Sequence, residues 1–317
     1  MSFLEVVRPG VQSTIQDSGR RGYRHHGLAA GGALDLISYT WANKLLDNPR
    51  NAACLEIVLG GFRAIAHGAL QVALTGARTR VTVNRQTVDL WQTLNLNDGD
   101  ELTIDLSTHH RLVYLAMVGG LDAPEQFGSH SVVVREKLEG QGPVQAGDRL
   151  IPLQPKRQVP ERKVPDYQRP DLDAETVIRL IPGYQYPQFQ RADIIRLTTS
   201  RYTVSDQSDR MGFRLQGTPL SSPPPGIISE GIALGAVQIP GDGQPIVLLN
   251  DCQTIGGYPK PGVVPAVDCG LLAQQLPGAS VRFELCDLAT AQNQRRLFEL
   301  HYQNTRWCQT GQELEWL

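Results

Sequence analysis

The spacing of apolar and polar positions along this chain changes near residue 54. Before that point Leu34, Ile37, Trp41 and Leu45 recur at helical spacing and give one apolar face. Gly31-Gly32 opens this predicted helix, and Asp35 stands in its first turn, where a carboxylate suits the helix dipole. Asp47-Asn48-Pro49 ends it. A short strand at 3–7, turned by Pro9-Gly10, comes earlier. After residue 54 the pattern shortens to β-branched runs at 55–59, 71–74, 80–83, 101–106 and 111–118, punctuated by Gly60-Gly61, Gly76, Asp98-Gly99 and Gly119-Gly120. Short strands at such spacing predict a mainly antiparallel barrel or sandwich. Runs at 176–181, 194–197, 213–215, 236–239, 246–249 and 281–285 predict a second β-rich region. A helix over 288–302 closes it, and Trp307 and Trp316 predict a docked tail.

A glycine-led strand recurs as Gly99-Asp100-Glu101-Leu102, Gly147-Asp148-Arg149-Leu150 and Gly278-Ala279-Ser280-Val281, which is compatible with two similar β-domains in tandem. Pro152, Pro155, Pro160, Pro165 and Pro170 fall in a charge-dense stretch, so the linker is expected within 153–171. The expected division is a first domain at 1–155, a Pro-rich linker at 156–171 and a second domain at 172–317.

Composition narrows the function classes. A length of 317 residues with 41% hydrophobic and 20% charged content is ordinary for a globular protein of two domains. A net charge of −2 argues against a nucleic-acid or membrane surface. The start Met1-Ser2-Phe3-Leu4-Glu5 has no basic and apolar leader pattern, and no apolar run reaches membrane-spanning length. Five cysteines without a Cys-x-x-Cys pair fit reduced thiols, so a cytoplasmic location is expected.

Candidate chemistry centres on 248–264. A buried strand runs into the polar turn Asn250-Asp251-Cys252-Gln253-Thr254, then Gly256-Gly257 and Tyr258-Pro259-Lys260-Pro261. Each proline fixes its own φ and pushes the residue before it into extended geometry, so Lys260 is held on a stiff backbone. The glycines can expose amides to an anion. Lys260 is the only lysine after position 163. A second stretch is Ser208-Asp209-Arg210-Met211-Gly212-Phe213-Arg214-Leu215. As a strand it puts Met211, Phe213 and Leu215 on the core face, with Arg210 and Arg214 flanking Gly212 on the other. A third, the Gly- and Arg-rich run from Gln16 to Gly27 with His25-His26, reads either as an anion site or as a solvated loop. The sequence has no P-loop, nucleophile elbow or His-Glu-x-x-His pattern.

The blocks Asp209-Arg210-Met211-Gly212 and Gln253-Thr254-x-Gly256-Gly257-Tyr258-Pro259-Lys260 resemble the allophanate hydrolase subunit 2-like family, also called the carboxyltransferase A/B-subdomain family. Arg8-Pro-Gly-Val-Gln-Ser-Thr-Ile-Gln-Asp-Ser-Gly-Arg20 and Leu55-Glu-Ile-Val-Leu-Gly-Gly61 match it too. The resemblance implies a mainly β protein of two tandem cyclophilin-like β-barrel domains with a few short helices. It also implies a heteromeric 5-oxoprolinase complex, in which the partners resemble the B and A subunits of that enzyme. Such a complex opens the 5-oxoproline lactam to glutamate at the expense of ATP, with Mg as the companion of ATP. Self-association into a homo-oligomer is left open. Assigned by chemistry within that resemblance, Lys260, Asp209 and Arg210 are the catalytic candidates. Arg214, Asp251, Gln253, Thr254, Gly256, Gly257 and Tyr258 are the substrate-binding ones. Asp209 or Asp251 would hold a metal ion or orient a base, and no metal-ligating set is assigned. Two alternatives belong to the same resemblance. One is a biotin-dependent carboxyltransferase component of urea carboxylase type, which would need a separate carrier because no Met-Lys-Met biotin acceptor is present. The other is a non-catalytic regulator that binds a kinase inhibitor. The chain departs from the family at Gly31-Gly-Ala-Leu-Asp35, at Ser129-His-Ser-Val-Val133 with the shortened 135–142 segment, and at Ile255.

Overall fold

The computed structural model describes residues 2–221, 224, 226–305 and 307. The protein is mainly β, with four α-helices among the described residues. Its contacts divide the chain into two units, one of residues up to 20, 31–171 and 301 onward, the other of 21–30 and 172–300. Both units are therefore discontinuous in sequence.

In the first unit, alternation sets the buried faces. Along Phe3–Pro9, Leu4 and Val6 are buried while Glu5 and Arg8 are not. This strand belongs to a six-stranded sheet ordered Arg149–Leu150, Phe3–Pro9, Phe62–His67, Glu101–Ile104, Val81–Val83, Gln86–Val88. A five-stranded sheet is ordered Gln12–Gln16, Cys54–Val58, Leu112–Met117, Leu70–Gly76, Gln92–Leu96. Both sheets feed one core that includes Leu4, Phe62 and Ile104 from the first and Ile57, Leu74 and Val113 from the second. Full burial of each such side chain contributes roughly 2 kcal/mol.

Three strands of the second sheet are buried along their whole length, and the helix Leu36–Leu45 packs on two of them, Leu70–Gly76 and Leu112–Met117. Asp35 caps this helix, its carboxylate accepting from the Ile37 and Ser38 amides. The fully buried Glu56 accepts from the Leu34 amide at 3.0 Å and from the Tyr114 hydroxyl at 2.6 Å. The Tyr114 oxygen in turn accepts from the Asp35 amide at 2.8 Å. Gly60, at φ 70°, is required by a close approach: a Cβ there would lie 2.1 Å from the Asp105 carbonyl oxygen.

The stretch expected as a linker is packed onto the first unit. Val159 and Val164 are buried, the Gln71 carboxamide bonds both backbone groups of Val159 at 2.9 Å, and Val164 donates to the Trp91 carbonyl. At the chain's end, Tyr302 and Trp307 pack on Trp41, and the Lys44 ammonium lies 4.2 Å from the Tyr302 ring centre. Burial lowers the pKa of Lys44. Trp316 lies outside the described residues.

The second unit is a closed seven-stranded barrel, ordered Thr176–Pro182, Gly262–Val263, Ala236–Gln238, Ile246–Leu248, Gly212–Gly217, Arg201–Val204, Ser280–Leu285 and back to the start. Closure is made by the parallel pairing of Thr176–Pro182 with Ser280–Leu285. Closing the ladder removes the sheet edges. The run at 194–197, expected as a strand, lies in the helix Arg191–Thr199. Ile194 and Leu197 are buried at i, i+3 while Ile195 is exposed, a helical pattern that the adjacent isoleucines disguise. The helix Ala266–Ala273 is pinned by buried Asp268, which takes the Arg179 amide and its guanidinium. That pairing raises the Arg179 pKa.

Burial holds the Tyr39 and Tyr114 hydroxyls and the Cys54 thiol well above their ordinary pKa values. The unfolded chain ionises these groups from about pH 9 to 10 while the folded chain keeps them protonated. Stability from this source is complete below that range and falls as pH rises through it. Melting temperature measured from pH 7 to 11 is expected to drop above about pH 9, and a flat profile would contradict the assignment.

Candidate functional site

The candidate residues of 208–215 and 250–261 all lie in the barrel unit. The geometry there is built on a buried ion pair. Arg210 Nε donates to Asp251 Oδ2 at 2.8 Å and Nη2 to Asp251 Oδ1 at 2.9 Å, and both side chains are more than nine-tenths buried. The Asp251 amide also bonds the Arg210 carbonyl at 3.0 Å, and Leu249 bonds the Met211 carbonyl at 2.9 Å. The turn before the strand Gly212–Gly217 is thus fastened to the turn after Ile246–Leu248. This is a change from the expected strand face. Met211 lies in the turn, half-buried, and Arg210 points to Asp251 instead of sharing a face with the exposed Arg214. The space beside Gly212 is filled by Val247 and Leu248.

Asp209 is exposed, and its Oδ1 accepts from the Met211 amide at 2.8 Å and from the Gly212 amide at 3.3 Å, capping the same turn. Asp251 has both oxygens on Arg210 and Asp209 serves this turn. Among the described residues no three His, Cys, Asp or Glu side chains form a group able to hold a metal ion. Asp209 and Asp251, spent on the turn and on Arg210, do not fit a metal site with the described residues.

The loop carrying Lys260 is tied at successive residues. Ile239 donates to the Pro259 carbonyl at 3.0 Å, the Lys260 amide donates to Gln185 Oε1 at 2.7 Å, and Gly183 donates to the Pro261 carbonyl at 2.9 Å. The prolines preset the backbone, and these bonds fix it against the barrel. The Lys260 side chain is 13% exposed and its Nζ lies 2.7 Å from Glu230 Oε1. Nζ makes no contact of hydrogen-bond geometry with a described residue, so the pairing is an off-axis ion pair. Gln185 Nε2 donates to the same Glu230 oxygen at 3.0 Å. Lys260 is therefore held from both ends by Gln185, directly at its backbone and through Glu230 at its ammonium.

Glu230–Gly231 pairs with Ile255–Gly256 as a small antiparallel ribbon. Neither Gly256 nor Gly257 has a positive φ, so they do not form the anion-cupping arrangement expected of them. Gly256 is required for another reason: a Cβ there would lie 2.6 Å from Ile232 Cδ1 and 2.7 Å from Gln238 Nε2. Gln253 and Thr254 are half-buried and Tyr258 is 49% exposed. The Gln253 and Thr254 carbonyls are taken by Arg24 and by the Ile232 amide. Arg24, from the Arg- and His-rich run, also donates to the Ile232 carbonyl at 2.8 Å. It is a brace for this loop pair. Cys252 is buried against it. In the first unit, Arg20 is spent on Gln141, Glu136 and the Ser131 carbonyl. There Asp17 takes the Ser129 hydroxyl and the His130 amide, so the two serines of the altered 129–133 run serve a buried polar network.

The structure brings Lys260, Gly256, Gly257 and Tyr258 together with Gln185, Glu230 and Gln238. The last three carry no motif. They arrive from three separate stretches, the sequence separation of Gln185 from Lys260 being 75 residues, and only the barrel register unites them.

Residues 26–285 match the family of the carboxyltransferase domain, subdomains A and B. The chain belongs to that family, the allophanate hydrolase subunit 2 group. It is 35% identical to the C subunit of 5-oxoprolinase from Escherichia coli, over 95% of this chain and 100% of that one. It is 28% identical to urea amidolyase of Lachancea kluyveri over 88% of this chain, which spans 17% of that protein. The urea carboxylase structure from Kluyveromyces lactis shares the fold at a TM-score of 0.89 and 24% identity, over 99% of this chain and 30% of that one. Among the described residues, no helix is long and apolar enough to cross a membrane.

Replacing Asp251 with alanine leaves the Arg210 guanidinium buried without its partner. Such losses cost about 3 to 5 kcal/mol. Urea denaturation of Asp251→Ala is expected to show a loss of that order, and a change below about 1 kcal/mol would mean that the pair is not a fastening of the barrel.

Proposed function

We propose that this chain is one component of an ATP-dependent 5-oxoprolinase, acting with B-type and A-type partners of that enzyme in the cytoplasm. The observation that carries the reading is the share of the relatives it spans. It covers a 5-oxoprolinase C subunit whole, and less than a fifth of a urea amidolyase. The amide of 5-oxoproline is a poor electrophile, and phosphorylating its oxygen makes the ring carbon open to water. ATP supplies that phosphoryl group. The chain's own residues would hold the lactam and balance charge as it develops.

Lys260 suits the second task. Its ammonium is nearly buried, its backbone is fixed, and Glu230 lies beside it without closing its hydrogen bonds. Tyr258, two residues earlier, is exposed and would serve as a donor to substrate. Arg210 and Asp251 enter this scheme as the support of the loop, Arg214 as an exposed cation on the strand that follows, and Asp209 as the cap of the turn. Gln253 and Thr254 shape the approach to Gly256 and Gly257.

The urea carboxylase reading, with biotin on a separate carrier, rests on the shared fold and on the partial-length relatives. Co-expression with the cognate B-type and A-type partners separates the two. ATP hydrolysis stimulated by 5-oxoproline and not by urea is expected from the assembly, with little from the purified chain alone. Urea-stimulated turnover that depends on bicarbonate and biotin would replace this reading.

In the same assembly, Lys260→Ala is expected to lower turnover roughly a hundredfold or more, as for loss of one charge contact aimed at a transition state. Lys260→Arg should rescue poorly, because the planar fork places its charge differently. Turnover and melting temperature are read together. Normal turnover removes Lys260 from the chemistry, and lost turnover with a collapsed melting temperature makes it structural.

A further inference from the structure

One buried donor in the barrel unit lacks an acceptor among the described residues. Gln238 ends the strand Ala236–Gln238 and is 2% exposed. Its Nε2 is buried and finds no acceptor among the described residues. Leaving a buried donor unmade costs about 1 to 3 kcal/mol, so such a group is expected to have a partner that comes from outside the chain. Alternation along the strand puts Gln238 on the face of Ala236, which packs with Ile232, Leu248 and Cys252 under the loops. The carboxamide packs against Gly256, where a Cβ would lie 2.7 Å from Nε2, so only glycine leaves room for it beneath the ribbon. Gly256 is paired across the ribbon with Glu230, the partner of Lys260. The next residue, Ile239, bonds the carbonyl of Pro259, which adjoins Lys260. The orphaned donor and the off-axis ammonium therefore belong to one neighbourhood.

We propose that Gln238 is a ligand-binding residue and that its Nε2 donates to the carbonyl oxygen of a small amide. Charge selects the acceptor. Lys260 is matched by Glu230, so the neighbourhood offers a neutral donor beside a balanced ion pair. A carboxylate brought there would be desolvated without a net cation to receive it, whereas an amide oxygen needs only a hydrogen bond. Identifying that amide with the lactam of 5-oxoproline rests on the function proposed above. The apolar floor of Ile232, Ala236 and Leu248 suits the ring methylenes.

The test uses 2-pyrrolidinone, a lactam without a carboxylate, with acetate as the opposing probe. In the glutamine-labelled chain, the side-chain amide resonance of Gln238 is identified by its disappearance in Gln238→Met. It is expected to shift with 2-pyrrolidinone and not with acetate. In the assembled complex, Gln238→Met should raise KM for 5-oxoproline at least tenfold. Its melting temperature should be unchanged or higher, because an unsatisfied donor is replaced by an apolar side chain of similar shape. A structural role would instead lower the melting temperature. An equal response to acetate overturns the choice of a neutral carbonyl. No shift with either probe, together with an unchanged KM, overturns the site and leaves a structural water as the partner of Nε2. A lactam-induced shift in a complex without oxoproline-dependent turnover would sustain the site and remove the 5-oxoprolinase reading. Normal turnover and KM in Gln238→Met would do the reverse.

Discussion

The barrel unit depends on one buried, bidentate ion pair. Arg210 and Asp251 stand on two turns that leave neighbouring strands, and each satisfies the other's charge with two parallel hydrogen bonds. Desolvating two charges is costly, and burying them apart would cost more, so neither turn can stray without stranding its partner. The pair fixes where the 250–261 loop begins. Bonds from Ile239, Gln185 and Gly183 then fix where it passes Pro259, Lys260 and Pro261. Placement of Lys260 is a consequence of this chain of constraints. The ammonium itself does little to hold the loop.

A division of labour among the charged residues follows. The cations that stand out in the sequence are mostly consumed by the fold: Arg20 on a polar network of the first unit, Arg24 on carbonyls of the loop pair, Arg179 on Asp268 and Arg210 on Asp251. Lys260 differs because its contact with Glu230 is off the hydrogen-bonding axis. The incomplete contacts of Lys260 and Gln238, more than the density of charge, set this region apart from the cations spent on the fold.

Much of this was legible in the residues. The helix that Leu34, Ile37, Trp41 and Leu45 outline is present as Leu36–Leu45, and most of the β-branched runs are strands. The strand Gln92–Leu96 was not, since Asn95 and the glutamine and threonine before it mask its pattern. Ile194 and Ile195 misled in the other direction, looking like a strand while only one of them is buried. Proline density suggested a linker where the chain packs as part of the first unit. At the site, the Pro-Lys-Pro frame was readable because proline acts locally. Gln185, Glu230 and Gln238 were not, because an uncharged amide or a lone carboxylate has no local signature and their meeting is set by strand register.

The segment 21–30 lies between two stretches of the first unit but packs with the barrel, where Arg24 holds the carbonyls of Ile232 and Gln253. Residues from 301 onward return to the first unit after the barrel is complete. A cut in the gene at 171 would therefore deprive the barrel of its Arg24 brace and the first unit of the aromatic rings that flank Lys44. The interleaving makes the two units one heritable cassette, which fits a family whose domain is found nearly whole inside urea amidolyases several times its length.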